Sequence, residues 1–315
     1  MINSFPFDGS RNEYLNFFDN LTGFEKWVYD RFPKSRGFLH FSASSGKSGG
    51  TYIKVDDAPG TYSPTLSRNS TGVPVLDQLT KPITFDFHLH LPTGSSQGNQ
   101  VILQRLSGSS AGITLGVLST LQAAPSASLV MLVSSGSSFL SSSMDISKGD
   151  FQHICATYDT TPGTNRIRLY RNAKLKSSSS MSEMGSFGYT HNALYIGSGS
   201  NHLAGTFSSS GLTFTQTLSG AMDELRVYHD NRSGGTQKKF KKQSVYPESK
   251  LKLYFKFNEP TGSYSTNNVV IDSSGNSLHT TIKNYNLVLR EQRGINLPIP
   301  FELSEESPVL FPSNT

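Results

Sequence analysis

From Ile83 to Leu91 apolar and polar residues alternate without a break. Ile83, Phe85, Phe87, Leu89 and Leu91 fall on one side of an extended chain, and Thr84, Asp86, His88 and His90 on the other. Successive side chains of a strand point to opposite faces, so this period of two predicts a half-buried β-strand. Shorter runs of the same kind predict strands at 37–43, 51–55, 101–106, 112–118, 128–134, 151–158, 166–171, 192–197, 218–228, 251–257 and 268–272. Segments rich in Ser, Gly and Asn at 107–111, 134–138, 177–180 and 198–201 read as the turns between them. Helical periodicity is scarce. A turn or two is predicted within 12–32, around Phe17, Phe18, Phe24, Trp27 and Val28, and another within 235–249. Many short strands with polar turns predict an all-β chain, folded as a two-sheet antiparallel sandwich of the jelly-roll kind. One such domain over residues 37–293 accommodates them.

The ends lack this pattern. Residues 1–36 are aromatic and show no alternation, and read as an N-terminal arm. Residues 294–315 carry four prolines among large apolar side chains. Proline at that density favours an extended chain and forbids a central strand. Ile299, Phe301, Leu310 and Phe311 have little reason to sit in water, so this C-terminal segment is expected to pack on another surface as an assembly arm. A linker to a further domain, or an arm folded back on its own domain, are the alternatives.

Four pieces in the middle of the chain carry a family resemblance, and they come in the family's order. Phe151-Gln152-His153-Ile154-Cys155-Ala156-Thr157-Tyr158-Asp159 is followed by Ile167-Arg168-Leu169-Tyr170-Arg171-Asn172-Ala173, then by Leu194-Tyr195-Ile196-Gly197, and then by Leu218-Ser219-Gly220-Ala221-Met222-Asp223-Glu224-Leu225-Arg226-Val227-Tyr228. Together they resemble the laminin-G-like, concanavalin-A-like jelly roll. Phe151 stands where the family has Trp, and Ala173 where its hairpin has Gly. Losing the Asn-Gly pair removes the preference for a type I′ turn, so a longer or different hairpin is expected there. The later stretch Leu253-Tyr254-Phe255-Lys256-Phe257-Asn258-Glu259-Pro260-Thr261-Gly262, leading to Ile271-Asp272-Ser273-Ser274-Gly275-Asn276, is also similar to pieces of such domains, and here is expected to close the same sandwich. With the Pro308-Val309-Leu310-Phe311-Pro312 ending, it looks like structural proteins of tailed phages.

Composition narrows the function classes. Charged residues are only 16 % of the chain, against about 25 % in an average domain, while aromatics reach 11 % with 20 Phe and 13 Tyr. An aromatic-rich, charge-poor chain is not disordered as a whole. No apolar run approaches the roughly 18 residues of a membrane span. The first eight residues show neither the basic start nor the apolar stretch of a secretory signal. The net charge of +5 lies mostly in one run, Lys238-Lys239-Phe240-Lys241-Lys242, so no nucleic-acid-binding surface is indicated. One cysteine, Cys155, rules out an intrachain disulfide or a multi-cysteine zinc site.

The chemistry is correspondingly thin. Glycosidases on this fold need paired carboxylates on one strand face. The pattern Glu-x-Asp-x-x-Glu is absent, and the adjacent Asp223 and Glu224 point to opposite faces of a regular strand. Gly46-Lys47-Ser48-Gly49-Gly50 mimics both a nucleophile elbow and part of a phosphate loop. No strand-to-helix elbow follows, and position 41, where the phosphate loop needs its first glycine, is Phe41. Asp86, His88 and His90 share a face as a polar surface or a weak metal clasp. His153 reads as an ordering residue and Cys155 as a small core residue. Asp272 and Asn276 bring carboxylate, amide and backbone oxygens together and form the best calcium-loop candidate, an Asx-turn being the alternative. Phe139, Phe187, Tyr189 and Phe207 fall in rim loops, where aromatic rings can stack on sugars, packing in the core or anchoring the loops being the alternative.

The resemblance and the missing secretory signal together point to a non-enzymatic virion structural protein. It would form a fibre, appendage or decoration, homo-oligomeric and docked on other virion proteins, and display its domain toward a host-surface glycan. No cofactor beyond calcium is expected. The alternative is a free or secreted, extracellular lectin-like module.

Overall fold

The computed structural model describes residues 37–44, 49–56, 74–78, 80–93, 98–109, 111–119, 121, 123–135, 138–161, 163–181, 184, 192–203, 212–240, 245, 247–259 and 267–292. The strands among them form two antiparallel sheets. Sheet A runs β10 (Lys174–Met181), β9 (Gly163–Arg171), β8 (Phe151–Tyr158), β3 (Ile83–His90), β12 (Gly220–Tyr228), β1 (Gly37–Phe41) and β16 (Arg290–Gln292). β13 (Leu251–Phe255) pairs with the half of β12 that β1 leaves open. Sheet B runs β14 (Val269–Val270), β15 (Thr280–Lys283), β2 (Tyr52–Val55), β11 (Leu194–Ile196), β4 (Gln100–Ser107), β5 (Ala111–Val117), β6 (Ser126–Ser135) and β7 (Ser138–Ser147). A short helix, α1 (Gly234–Phe240), follows β12, and a 3-10 turn, Leu287–Leu289, precedes β16.

The inward residues of both sheets meet in one apolar core. Phe85, Phe87 and Leu89 of β3, Ile154 of β8, Leu169 of β9 and Phe255 of β13 face Ile53 and Val55 of β2, Leu115 of β5 and Met131 of β6. Burial of each such side chain contributes about 1.5–3 kcal/mol, which sets the alternation that the sequence displays. Gly197, just after β11, has φ of 79°, and a Cβ there would lie 2.4 Å from the Phe41 ring, so glycine alone fits. The sandwich is stitched along one side. Ser142 Oγ of β7 lies 2.8 Å from Ser177 Oγ of β10, and Ser179 Oγ donates to the Ser141 carbonyl at 2.5 Å.

Three expectations are corrected. Residues 177–180 are not a turn but part of β10, paired with β9 through Ser177, Ser178 and Ser179. β3 is buried on both faces, not half-buried, because the polar side of sheet A is covered as well. At one end the cover is the segment after β12: Thr84 Oγ1 donates to the Asp230 carbonyl at 2.6 Å, and Gln237 Nε2 of α1 donates to the Arg232 carbonyl at 2.9 Å. The β9–β10 hairpin is the short one after all, a two-residue loop with Asn172 at φ 52° and Ala173 at φ 61° between the paired Arg171 and Lys174. Both values belong to a type I′ turn, which alanine adopts here at a steric cost.

Candidate functional site

On the polar side of sheet A the regular alternation of β12 breaks. Asp223 pairs with His88 and Arg226 with Asp86, so two residues of β12 stand opposite one of β3. Such a β-bulge re-aims a side chain. Glu224 takes φ of 51°, and its carboxylate reaches Arg226 Nη2 at 2.6 Å. Tyr254 Oη donates to the same Glu224 oxygen. The expectation that Asp223 and Glu224 part company across the strand therefore fails, because it assumed an unbroken pleat. Asp86 completes the cluster, with His153 Nε2 at 3.1 Å and Arg226 Nη1 at 3.9 Å. Burial pushes the Asp86 carboxyl up, but the His153 imidazole and the Arg226 guanidinium outweigh it and hold it at about 2. Asp86, His153, Asp223, Glu224 and Arg226 are all buried. A general acid or base has to reach a substrate proton, and these groups are paired and sealed inside the protein. Cys155 shares this side. Burial, with the Asp86 charge, pushes its thiol well up, so it stays a neutral core residue.

The Asp272 turn is equally closed. Asp272 Oδ1 accepts from the backbone N–H of Tyr254 and of Ser274, each at 2.9 Å. Oδ2 accepts from Ser274 Oγ at 2.8 Å and the Leu278 N–H at 2.9 Å. The Asn276 amide donates to the carbonyls of Leu251 and Lys252 at 3.0 and 3.2 Å. A calcium ion needs six to eight oxygens, and here the carboxylate already serves four protein donors. Among the described residues no group of three or more His, Cys, Asp or Glu side chains is placed to hold a metal ion. Nor is any helix among them long and apolar enough to cross a membrane.

Other sequence candidates scatter. His90 Nε2 lies 3.1 Å from the Gly149 carbonyl, and its ring sits 5.4 Å from that of Phe151. Phe139 packs on a small apolar cluster of Val130, Leu132, Leu212 and Phe214 outside the main core. The lysine run straddles the end of α1, and its side chains lie outside the described residues. So do Phe187, Tyr189, Phe207, Gly46, Lys47, Ser48 and the arm residues Ile299, Phe301, Leu310 and Phe311.

The open surface lies elsewhere, on the wet face of sheet B. β2 reads Tyr52-Ile53-Lys54-Val55, with Ile53 and Val55 in the core and Tyr52 and Lys54 half-buried on the outside. Register then places Lys283 of β15 beside Tyr52, and Tyr195 of β11 beside Lys54. The rings of Tyr52 and Tyr195 lie 6.4 Å apart with an interplanar angle of 29°, forming an aromatic platform. Next to it, around the β14–β15 end, is an open groove of about 390 Å³ lined by Asn267, Asn268, Thr281, Ile282, Lys283, Asn284 and Tyr285. Its wall is braced from behind by the buried Arg290, whose Nη2 and Nε donate to the carbonyls of Val269 and Asn267 at 2.6 and 3.2 Å. Arg290 also pairs with Glu259 at 2.5 Å and lies 5.7 Å from the Tyr285 ring centroid. Sequence reading missed every member of this surface. The available signal was Tyr52, an aromatic residue on the wet side of an alternating strand.

The polar groups of the groove beside an aromatic surface suit a ligand that is itself half polar and half apolar. Comparison with known proteins fits this architecture. The family model of the concanavalin A-like lectin/glucanases superfamily, in its laminin-G-like form, matches residues 50–235, more than half of the chain. No curated protein matches the chain by sequence. Among solved structures, a candidate carbohydrate binding protein from Bacteroides ovatus is 16 % identical with a TM-score of 0.51, over 84 % of this chain and 62 % of that one. The chain thus spans less than two thirds of that protein's length. The heptameric SAP-like pentraxin of Limulus polyphemus is 11 % identical with a TM-score of 0.41, over 64 % of this chain and 80 % of that one. Tailspike protein 2 of Escherichia coli O157:H7 bacteriophage CAB120 is 13 % identical with a TM-score of 0.41, over 71 % of this chain and 29 % of that one. At these identities the likeness is one of fold. The order of the strands, the motifs on β8, β9, β11 and β12, and the matched span agree: the chain belongs to the laminin-G-like members of the concanavalin A-like lectin/glucanases superfamily.

Proposed function

We propose that the chain is a non-enzymatic glycan-binding module, and that it serves as a structural protein of a phage particle, presenting this module to a host-surface glycan. The observation that carries the glycan reading is the wet face of sheet B, where the Tyr52–Tyr195 platform adjoins an open polar groove. A sugar ring presents an apolar face that stacks on aromatic rings and a rim of hydroxyls that bonds to amides and hydroxyls. Two further observations support it. The structural relative from Bacteroides ovatus is a candidate carbohydrate binding protein. The carboxylates Asp86, Asp223 and Glu224 are buried, so this cluster offers no open acid–base pair to a substrate. Support for the virion setting comes from the Tyr254–Gly262 stretch and the Pro308–Pro312 ending, which resemble tailed-phage structural proteins.

Glycan-array binding of the full chain tests the first half. Replacing both Tyr52 and Tyr195 by Ala is expected to weaken binding of the glycan about thirtyfold, at roughly 1 kcal/mol for each stacking contact, with the melting temperature shifted by only a few degrees. Undiminished binding by a folded double variant would remove this face from the site. For the second half, deletion of residues 294–315 is expected to abolish sedimentation of the protein with purified particles. Normal incorporation of the shortened chain would sink the arm's role.

A further inference from the structure

We infer that the groove at the β14–β15 end takes an acidic sugar at Lys283, as one unit of a linear glycan whose neighbouring rings cross Tyr52 and Tyr195. This rests on the glycan-binding reading and adds the charge of the ligand and its path.

The charge follows from tracing each ionised group around the groove. Arg290 is committed to Glu259 and to the carbonyls of Asn267 and Val269. Lys54 is committed to Asp56, at 2.8 Å. Lys283 is exposed and makes no hydrogen bond or ion pair among the described residues, and no carboxylate lines the groove. Among the described residues, therefore, the groove carries one positive charge with no ion-pair partner. An ammonium donates hydrogen bonds and accepts none, and an anionic acceptor adds a charge–charge attraction that a neutral hydroxyl lacks. A neutral sugar leaves that charge unanswered; a carboxylate or sulfate on the ring answers it. The side chains of Asn268 and Thr281 also make no hydrogen bond among the described residues, and they supply an amide and a hydroxyl for the same ring. Because Arg290 fixes the carbonyls of Asn267 and Val269 from the buried side, little ordering remains to be done when the ligand enters.

The path follows from register. Lys283 of β15 stands directly opposite Tyr52 of β2, and the next strand, β11, brings Tyr195 beside it. Neighbouring strands are about 4.8 Å apart, so the line from β15 to β11 is roughly 10 Å, longer than a single sugar ring. A ligand that touches both the ammonium and the far tyrosine is therefore an oligosaccharide lying across the strands, not a terminal monosaccharide.

The test is an array carrying the same oligosaccharides in neutral, carboxylate-bearing, carboxyl-esterified and sulfated forms, probed with the full chain. The charged forms are expected to bind, the esterified form to lose that binding, and Lys283→Gln to weaken it about tenfold, with the effect shrinking as salt is raised. Lys176→Gln, on the exposed edge strand β10, is the control and should match the parent chain. Comparing carboxylate with sulfate reads apart the two sources of negative charge. Equal binding to acid and ester, or a Lys283→Gln chain that binds as well as the parent, overturns the acidic-sugar inference while the glycan reading stands. Monosaccharides binding as tightly as their oligomers would overturn the path. Failure to bind any member of the array overturns the glycan reading itself.

Discussion

Ala173 is a residue whose type and conformation disagree. It sits at φ 61° in the β9–β10 hairpin, a conformation that costs an L-residue with a side chain about 1–2 kcal/mol. What holds it there is remote in sequence. The Asn172 side-chain oxygen accepts the His153 N–H at 3.0 Å, and the Asn172 N–H donates to the His153 carbonyl at 2.8 Å. β8 thus grips the turn from the side and imposes the tight loop on a sequence that does not prefer it. Ala173→Gly should relieve the strain while loosening the unfolded chain by about 0.4–1 kcal/mol. The expected net result is a gain of about 0.5–1 kcal/mol, read as a higher urea midpoint with an unchanged slope. A lower midpoint would show that the left-handed alanine is not strained. The same residue explains a misreading. A missing Asn-Gly pair argues against a type I′ turn only when nothing but the turn itself decides its shape.

At the scale of elements, legibility followed the source of each element's stability. β3, β5, β6 and β8 bury an apolar face against the core, so their period of two is written in the chain and their boundaries were found to within a residue or two. β10 has no such face. Its Lys174–Met181 run is polar and largely exposed, and it is a strand because β9 pairs with it and β7 bonds to its serines. No local pattern announces that. The bulge in β12 was hidden for a similar reason. Glu224 is drawn from its regular position by Arg226 and Tyr254, and Tyr254 lies on a strand 30 residues further along. Asp272 shows the opposite case, where a local motif was visible and its partners were not. An Asp-Ser-Ser-Gly-Asn run suits both a calcium loop and an Asx-turn, and the backbone donors of Tyr254 and Leu278 decide which groups its oxygens serve. The face proposed for the glycan was the least legible part. Tyr52, Tyr195 and Lys283 are far apart in the chain, and only the order β15–β2–β11 in sheet B makes them neighbours.

For the molecule as a whole, the polar groups buried outside the main core make stability depend on pH in one direction. A Gln104 amide N–H donates to Thr114 Oγ1 at 2.9 Å, and the same hydroxyl lies 3.0 Å from His202 Nδ1. On the other side of the ring His202 Nε2 is hydrogen-bonded with Ser134 Oγ at 2.5 Å. The ring is thus held against the side chains of β5 and β6, and burial holds its pKa down to about 4. His229 is held at about 4 by burial and, next, by the charge of Lys252. An unfolded histidine titrates near 6.5. Between about 6.5 and 4 the unfolded chain binds protons that the folded one refuses, so acidification favours unfolding throughout that window. The stabilising contribution is complete above about pH 6.5, falls as the pH drops, and is gone near 4; each histidine accounts for about 3 kcal/mol of it. Asp86, held at about 2, behaves as a carboxylate whose contribution begins to fade only below about pH 4, and so leaves the window clear. The melting temperature is therefore expected to be level from pH 8 to 7 and to fall steeply through 6 and 5. His202→Gln should lower the plateau, because Thr114 and Ser134 lose their partner, and should also make the decline about half as steep. A parent chain with a level melting temperature from pH 7 to 4 would mean that these histidines are not buried neutral in solution.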